Sequence, residues 1–413
     1  MSDPIKIERF TGMSNLEESG ELFVGEGVAQ PRIILNSDVT KSGNLVKRDG
    51  YTQVVALTEP HSLWSGDTCM LCVSEGGLYQ IEGTTATSRG IVGNDTLYYA
   101  EVGNLIYLSS KSYTGIFDPV SGTISSWGIE LPNGPMLTSA NGNLDAGIYH
   151  VCMTAESDGE ISGNGPISQI TLSSEGGISI SNRGADDLIW ATDPNSDIFY
   201  RIGKTDAIVN VPSVEPLPSL FCFPTPYLTN LCHAFGRMWG SVGNKVYYSD
   251  PFKWAWWKKG TSFFEFATPI TMIAKTKTGL FIGATDRTHC LLGTKPEEMQ
   301  NLDVGAGAIP GTLAYCNNII ELGDTISPPE KKHESVPVWV SEEGIVAGNP
   351  VGRLFSLSQG KVKFNPGNVG ASLYRQKNGD FQFLTSFPKG GEQDGIGMSD
   401  DATIEVIRNG KVI

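Results

Sequence analysis

One short unit recurs along this chain: an apolar run, a turn carrying glycine, then a second run with aromatic or β-branched residues. It reads CMLCVSEGGLYQI around Gly77, AEVGNLIYLSS around Gly103 and MWGSVGNKVYYSD around Gly243. It returns as MIAKTKTGLFIGA around Gly279, VWVSEEGIVAG around Gly344 and SLYRQKNGDFQFL around Gly379. Each is expected to form a β-hairpin whose glycine supplies the positive φ of the turn. Adjacent pairs lie 26, 36 and 35 residues apart, and the longer gaps of 140 and 65 imply insertions. Hairpins at that period build the four-stranded blades of a propeller. A blade cannot bury both of its faces, whereas stacked blades bury them and protect the sheet edges. The expected fold is therefore all-β: a β-propeller built from repeated hairpins. An array of β-sandwiches is the competing architecture. The 49 Gly and 23 Pro, with 17 Phe, 13 Tyr and 8 Trp, suit many short strands joined by turns.

Second hairpins are expected from TTATSRGIV, TGIFDPVSG with TISSWGI, THCLLGT, GRLFSLSQG and KVKFNPG. Two proline-bearing stretches interrupt the repeat: residues 130–135, and residues 211–226 with Pro212, Pro216, Pro218, Pro224 and Pro226. Between them AGIYHVCMTAES alternates cleanly, and PISQITLS, GGISISN, DLIWATD and DIFYRIGKTD follow. This predicts a small immunoglobulin- or fibronectin III-like β-sandwich inserted in the propeller. The expected division is 1–135 for the N-terminal segment and first blades, 136–209 for the insert, and 210–413 for the remaining blades. Removing 136–209 is expected to leave the blades folded. Long loops at 323–337 and 388–400 are expected to serve contacts.

Thirty basic against 45 acidic residues give a net charge of −15, which excludes a general nucleic-acid binder. The imbalance is uneven. Residues 101–200 hold 12 acids against Lys111 and Arg183, while residues 253–295 hold seven bases against Glu265 and Asp286. Such asymmetry either orients one protein against another or belongs to solvated loops. No signal peptide and no membrane-spanning run are read from the sequence, so no membrane insertion is expected. The seven cysteines are expected to be reduced thiols in strands, and Cys69 and Cys72 would point to opposite faces.

Catalytic chemistry is sparse. His61, His150, His233, His289 and His333 lack metal-ligand spacing, and no nucleophile elbow, phosphate loop or H-E-x-x-H pattern occurs. Glu342–Glu343, Glu392 with Asp394, Asp400–Asp401 and Asp158-Gly159-Glu160 sit in loop or turn sequence. No sialidase-type S-x-D-x-G-x-x-W box accompanies them. No enzyme activity, metal or cofactor is expected.

The run from Phe252 to Lys259, FKWAWWKK, stands out. On a strand, Phe252, Trp254 and Trp256 would share one face and Trp257 the other. Two readings remain open: a sugar platform or protein hot spot beside lysines, or a blade strand packing large aromatics.

Several segments resemble β-propeller virion proteins of tailed phages. Asn36–Asp38–Val39, Gly43-Asn44-Leu45 and Arg48-Asp49-Gly50-Tyr51 resemble the element that feeds their first blade. GIYHVCMTAESDGEISGNGP and DIFYRIGKTD are similar to strands of their inserted immunoglobulin-like domain, and GNKVYYSDPFKWAWW to one of their blades. The resemblance implies a structural component of the tail, of nozzle or hub type, made in the host bacterial cytoplasm and residing in the virion. It implies a ring homo-oligomer, with a hexamer favoured, around the DNA exit channel. The other partners implied are tail proteins such as an adaptor or fibres, and passing double-stranded DNA held without sequence-specific contacts. A receptor- or glycan-binding propeller at the tail tip is the alternative, and a propeller glycoside hydrolase a more distant one. With this role, Lys253, Lys258, Lys259 and Lys275 are expected to face an acidic neighbour, with Trp257 as an apolar anchor. Changing Lys258 and Lys259 to Glu is expected to weaken assembly without moving the unfolding midpoint.

Overall fold

The computed structural model describes residues 7–10, 13–14, 16, 23–25, 27–31, 34, 37–40, 42–48, 50, 52–317, 335–358, 362, 366–377, 380–388, 401–408 and 411–412. These residues are all-β, with one short 3₁₀ turn at Pro296–Glu298. Six four-stranded antiparallel sheets follow one another along the chain, each in simple meander order. They are the blades of a β-propeller. The chain divides into two compact units, 55–265 and 1–54 with 266–413.

Three blades belong to residues 55–265. Blade 1 comprises His61–Ser65, Met70–Ser74, Gly77–Glu82 and Thr85–Ile91; blade 2 comprises Tyr98–Val102, Leu105–Ser109, Thr114–Asp118 and Thr123–Ser125. Blade 3 comprises Thr229–Ala234, Arg237–Val242, Lys245–Tyr248 and Phe263–Glu265. Leu71, Val73 and Leu78 of blade 1 pack with Ile106, Leu108 and Phe117 of blade 2. The inner strands are thus buried on faces that one sheet could not cover alone.

The other unit holds blade 4, Ile270–Lys275, Gly279–Ala284, Arg287–Leu292 and Gln300–Ala306, and blade 5, Ala314–Cys316, Val336–Ser341, Gly344–Gly348 and Leu354–Ser356. Blade 6 is Ala371–Lys377, Asp380–Pro388, Asp401–Arg408 and Lys411–Val412. Phe281 of blade 4 lies 5.5 Å from Trp339 of blade 5, among Met272, Cys290 and Val346. Near the start of the chain, Ser37–Val39 pairs with Leu45–Lys47, and Arg48 closes the hairpin with an ion pair to Asp38 at 2.7 Å. Asn36, Asp49 and Tyr51 of that segment, and residues 323–334 and 389–400 of the two stretches expected to be long loops, lie outside the described residues, as does His333.

The recurring glycines do not all do the same work. Gly103 and Gly243 take φ of 62° and 60° at their turns, as expected. At the first hairpin the left-handed residues are Glu75 and Gly76, while Gly77 begins the next strand. Gly279 also begins a strand, and there a side chain is forbidden by crowding: a Cβ would lie 2.3 Å from the Leu291 carbonyl oxygen. Gly379 lies outside the described residues.

The sandwich spans Met136 to Ile208. One sheet pairs Met136–Leu144, Gly176–Ser181 and Ala207–Ile208; the other joins Glu160–Ile161, Gly147–Ser157, Asp187–Thr192 and Phe199–Gly203, with Ser168–Leu172 also on Gly147–Ser157. Tyr149, Val151, Met153, Ile189 and Ala191 meet Ile178, Ile180 and Ile208 between the sheets. The alternate residues Cys152, Leu188 and Trp190 face away from that core and are nevertheless buried, against Leu217 and Leu220. All six residues of Asp187–Thr192 are therefore buried. A sheet with one solvated face would alternate, so the proline-bearing segment after the sandwich acts as its outer cover.

Phe281→Ala is expected to cost about 3–5 kcal/mol, since it empties the core shared by blades 4 and 5. Denaturant unfolding of the variant measures this, and a loss below about 1 kcal/mol would mean that the two sheets do not share that core.

Candidate functional site

The conspicuous aromatic and basic run lies between the last two strands of blade 3 and is not itself a strand. Pro251 breaks the pairing, Phe252 takes φ 57°, and the chain folds back so that Asp250 N–H donates to Trp256 O at 2.9 Å. The even alternation expected of Phe252, Trp254 and Trp256 is therefore absent. Phe252 is 76% exposed, whereas Trp254 and Trp256 are half-buried.

Each tryptophan is tied down at its nitrogen. Trp254 Nε1 donates to Gly236 O, Trp256 Nε1 to Ile161 O in the sandwich, and Trp257 Nε1 to Thr225 Oγ1 in the linker. Trp257 is 1% exposed and packs with Trp127, Tyr107 and Leu228. The expectation that Trp257 anchors a partner is corrected: an indole with no accessible surface contributes to folding and offers nothing to a neighbour. The packing reading of the aromatic run holds for Trp257, but in a loop and not in a strand.

The lysines also have local partners. Lys253 Nζ bonds Glu160 of the sandwich turn at 2.7 Å and lies 5.3 Å from the centre of the Trp256 ring. Lys258 Nζ bonds Asp250 at 2.9 Å. Lys259 is exposed, with its ammonium 5.5 Å from the centre of the Phe223 ring. Lys275 ends the first strand of blade 4, in the other unit; its side chain is exposed and its backbone N–H donates to Tyr315 Oη. The structure thus gathers Lys253, Trp257, Lys258 and Lys259 on one loop, while Lys275 belongs to a strand of the other unit. Lys258→Glu would set a carboxylate against Asp250, so the double change to Glu is not neutral for folding as the sequence led one to expect.

What the loop builds is a joint between blade 3, the linker and the sandwich. Phe223 N–H donates to Trp257 O, Ser219 Oγ to Ser162 O, and Phe221 N–H to Asn164 Oδ1 at 2.6 Å. Gly163 lies so close to the linker that a Cβ there would be 1.7 Å from Cys222 O. Sequence pattern marked the prolines of the linker but carried no sign of this docking: Leu217 and Ser219 face inward, the phase then shifts so that Phe221 faces outward and Cys222 inward, and no period marks the segment.

Cysteine chemistry is suppressed by burial. All seven thiols are free and all except Cys69 are buried. Burial pushes Cys222 up to about 11, with Lys258 pulling more weakly the other way, and pushes Cys290 up to about 11. Burial raises Cys152 and Cys316 further. Among the described residues, no group of three or more His, Cys, Asp or Glu side chains is placed to hold a metal ion. No helix among them is long and apolar enough to cross a membrane.

No family model matches the chain, and no curated protein matches it. Solved structures similar to it include the computationally designed Ika8 protein, 12% identical, covering 83% of this chain and 97% of that one with TM-score 0.28. BBS1N in complex with ARL6DN is 8% identical over 82% and 93% of the two chains, with TM-score 0.33. Kluyveromyces lactis Hsv2 is 10% identical over 83% and 95%, with TM-score 0.28. The propeller stands on the strand order of the six sheets. The class is a β-propeller protein with a sandwich insert.

Two outcomes check the joint and the thiols. The sequence led one to expect that the blades stay folded without the insert; because Trp256 bonds Ile161 and Trp257 bonds Thr225, bridging Glu130 to Leu228 in place of the sandwich and linker is instead expected to expose both indoles and to give an insoluble or far less stable product. Soluble protein with the parent's cooperative unfolding would show the joint to be dispensable. At pH 8, alkylation read by mass is expected to modify Cys69 first and to reach Cys222 and Cys290 only after denaturation, because so little of each is thiolate. Rapid native labelling of either would show that its burial is not maintained.

Proposed function

We propose that this chain is a structural subunit of a phage tail, of nozzle or hub type, which assembles with copies of itself around the DNA channel and contacts other tail proteins. The observation that carries the reading is the match between the similar segments and the architecture. Residues 147–161 form a strand pair of the sandwich, Phe199–Gly203 closes its larger sheet, and Lys245–Tyr248 is an inner strand of blade 3. The hairpin pinned by Asp38 and Arg48 precedes the first blade, as the resemblance requires.

The chemistry is consistent with a scaffold. The buried thiols are poor nucleophiles. The turn Asp158-Gly159-Glu160 directs Glu160 to Lys253, and Glu342 and Glu343 occupy the tight turn between two blade 5 strands. An acidic surface lining a passage would repel the phosphate backbone and let DNA slide.

The deciding experiment locates the chain in intact particles, by mass spectrometry of purified virions and by imaging with the sandwich tagged at its exposed 158–159 turn. Density at the tail in several symmetric copies is the expected result. Absence from purified particles would overturn the proposal.

A further inference from the structure

The linker presents two phenylalanines outward beside the joint. Phe221 is 58% exposed and Phe223 38%, while Cys222 between them is 1% exposed. Phe221 holds φ 59°, a left-handed backbone that a phenylalanine disfavours, fixed by its N–H bond to Asn164. A rigid, outward aromatic at a cost in backbone strain is a feature of binding surfaces. Lys259 stands over Phe223 and, among the described residues, has no carboxylate partner, unlike Lys253 and Lys258 beside it.

The complementary surface lies at the other end of the sandwich. Strand register places Leu144 beside Gly176, Gly147 beside Leu172, and Thr192 beside Phe199, so the loops 145–146, 173–175 and 193–198 share one end. That end carries Asp145, Glu175, Asp193 and Asp197 and no base. The three bases of the insert all serve acids at the opposite end or along the cover: Arg183 pairs with Asp206, Lys204 with Glu156 and Asp186, and Arg201 with Glu215. Among the acids stands Ile198, 48% exposed. Strand Gly147–Ser157 runs from this acidic end toward the joint. At the rise of an extended chain its length is roughly 30 Å, so Lys259 and these carboxylates of one copy are held far apart.

We infer that the Phe221, Phe223 and Lys259 surface docks the acidic end of the sandwich of a second copy, with Ile198 against the phenylalanines and Asp193 or Asp197 near Lys259. Charge complementarity selects this occupant, with one aromatic face carrying the single cation Lys259 and one negative face carrying an exposed apolar residue. Because the two faces differ, the contact is head-to-tail. This deepens the tail-subunit reading, on which it rests for the expectation that copies meet.

The test is self-association of the full chain, by sedimentation over a concentration and salt series. Lys259→Glu, Phe221→Asn (a residue tolerant of left-handed φ) and the pair Asp193→Lys with Asp197→Lys are each expected to weaken association about tenfold or more. Lys259→Glu combined with the two lysine changes should recover most of the loss. The unfolding midpoint of each variant reports that folding is intact. A wild-type chain that stays monomeric, variants that associate as the parent does, or a failed charge exchange would overturn the inference. So would a Phe221→Asn variant that loses binding to a glycan array while associating normally. Location in virions is read independently: particles that contain the chain while the variants associate normally leave the tail reading standing and this contact refuted.

Discussion

A four-stranded sheet of alternating residues has two faces, and in this chain both are apolar. Every residue of Gly279–Ala284 and Val336–Ser341 is buried. Burying a side chain such as Phe or Leu on one face contributes about 1.5–3 kcal/mol, a gain that vanishes if the face meets water. A blade therefore requires a neighbour, and the clusters that join blade 1 to blade 2 and blade 4 to blade 5 are the direct consequence. The larger sheet of the sandwich obeys the same constraint without a blade beside it. Its second face is closed by Leu217 and Leu220 of the linker.

That solution makes the linker structural, and it transfers the demand to the next element. A chain segment rich in proline cannot pair along its length, because each proline lacks an N–H. It is held instead by isolated contacts: Phe223 to Trp257, Phe221 to Asn164, and Ser219 to Ser162. Each contact needs a rigid partner, and the loop between the last two strands of blade 3 supplies one by folding its tryptophans onto Trp127, Tyr107 and Gly236. The sandwich, linker and blade 3 form one packed assembly within residues 55–265.

The blades and the sandwich strands were legible in sequence because both express a period of two with glycine-bearing turns, and these are local signals. The run FKWAWWKK misled for a physical reason. Its spacing suits a strand, yet Pro251 and the left-handed Phe252 turn the chain back, and tertiary hydrogen bonds to three different elements fix where each indole goes. Gly163 was equally silent: its need for no side chain arises from Cys222, a residue far along the chain. The lysines were recognised as a basic group, but their partners depend on which carboxylates the fold delivers.

That last point bears on how charge should be read along a chain. The basic segment 253–295 and the acidic segment 101–200 look like two surfaces awaiting different neighbours. Lys253 and Glu160 belong to those two segments and bind each other within one copy. Folding thus neutralises part of the asymmetry where the segments meet. Such exposed pairs contribute about 0.2–1 kcal/mol each, so the joint is held chiefly by buried indoles and their hydrogen bonds. Among the described residues, charge remains unspent where the fold brings no oppositely charged partner: at Lys259 beside Phe223, and at the far loops of the sandwich. Spatial pairing, not linear composition, separates the charges that stabilise this molecule from those still available to another.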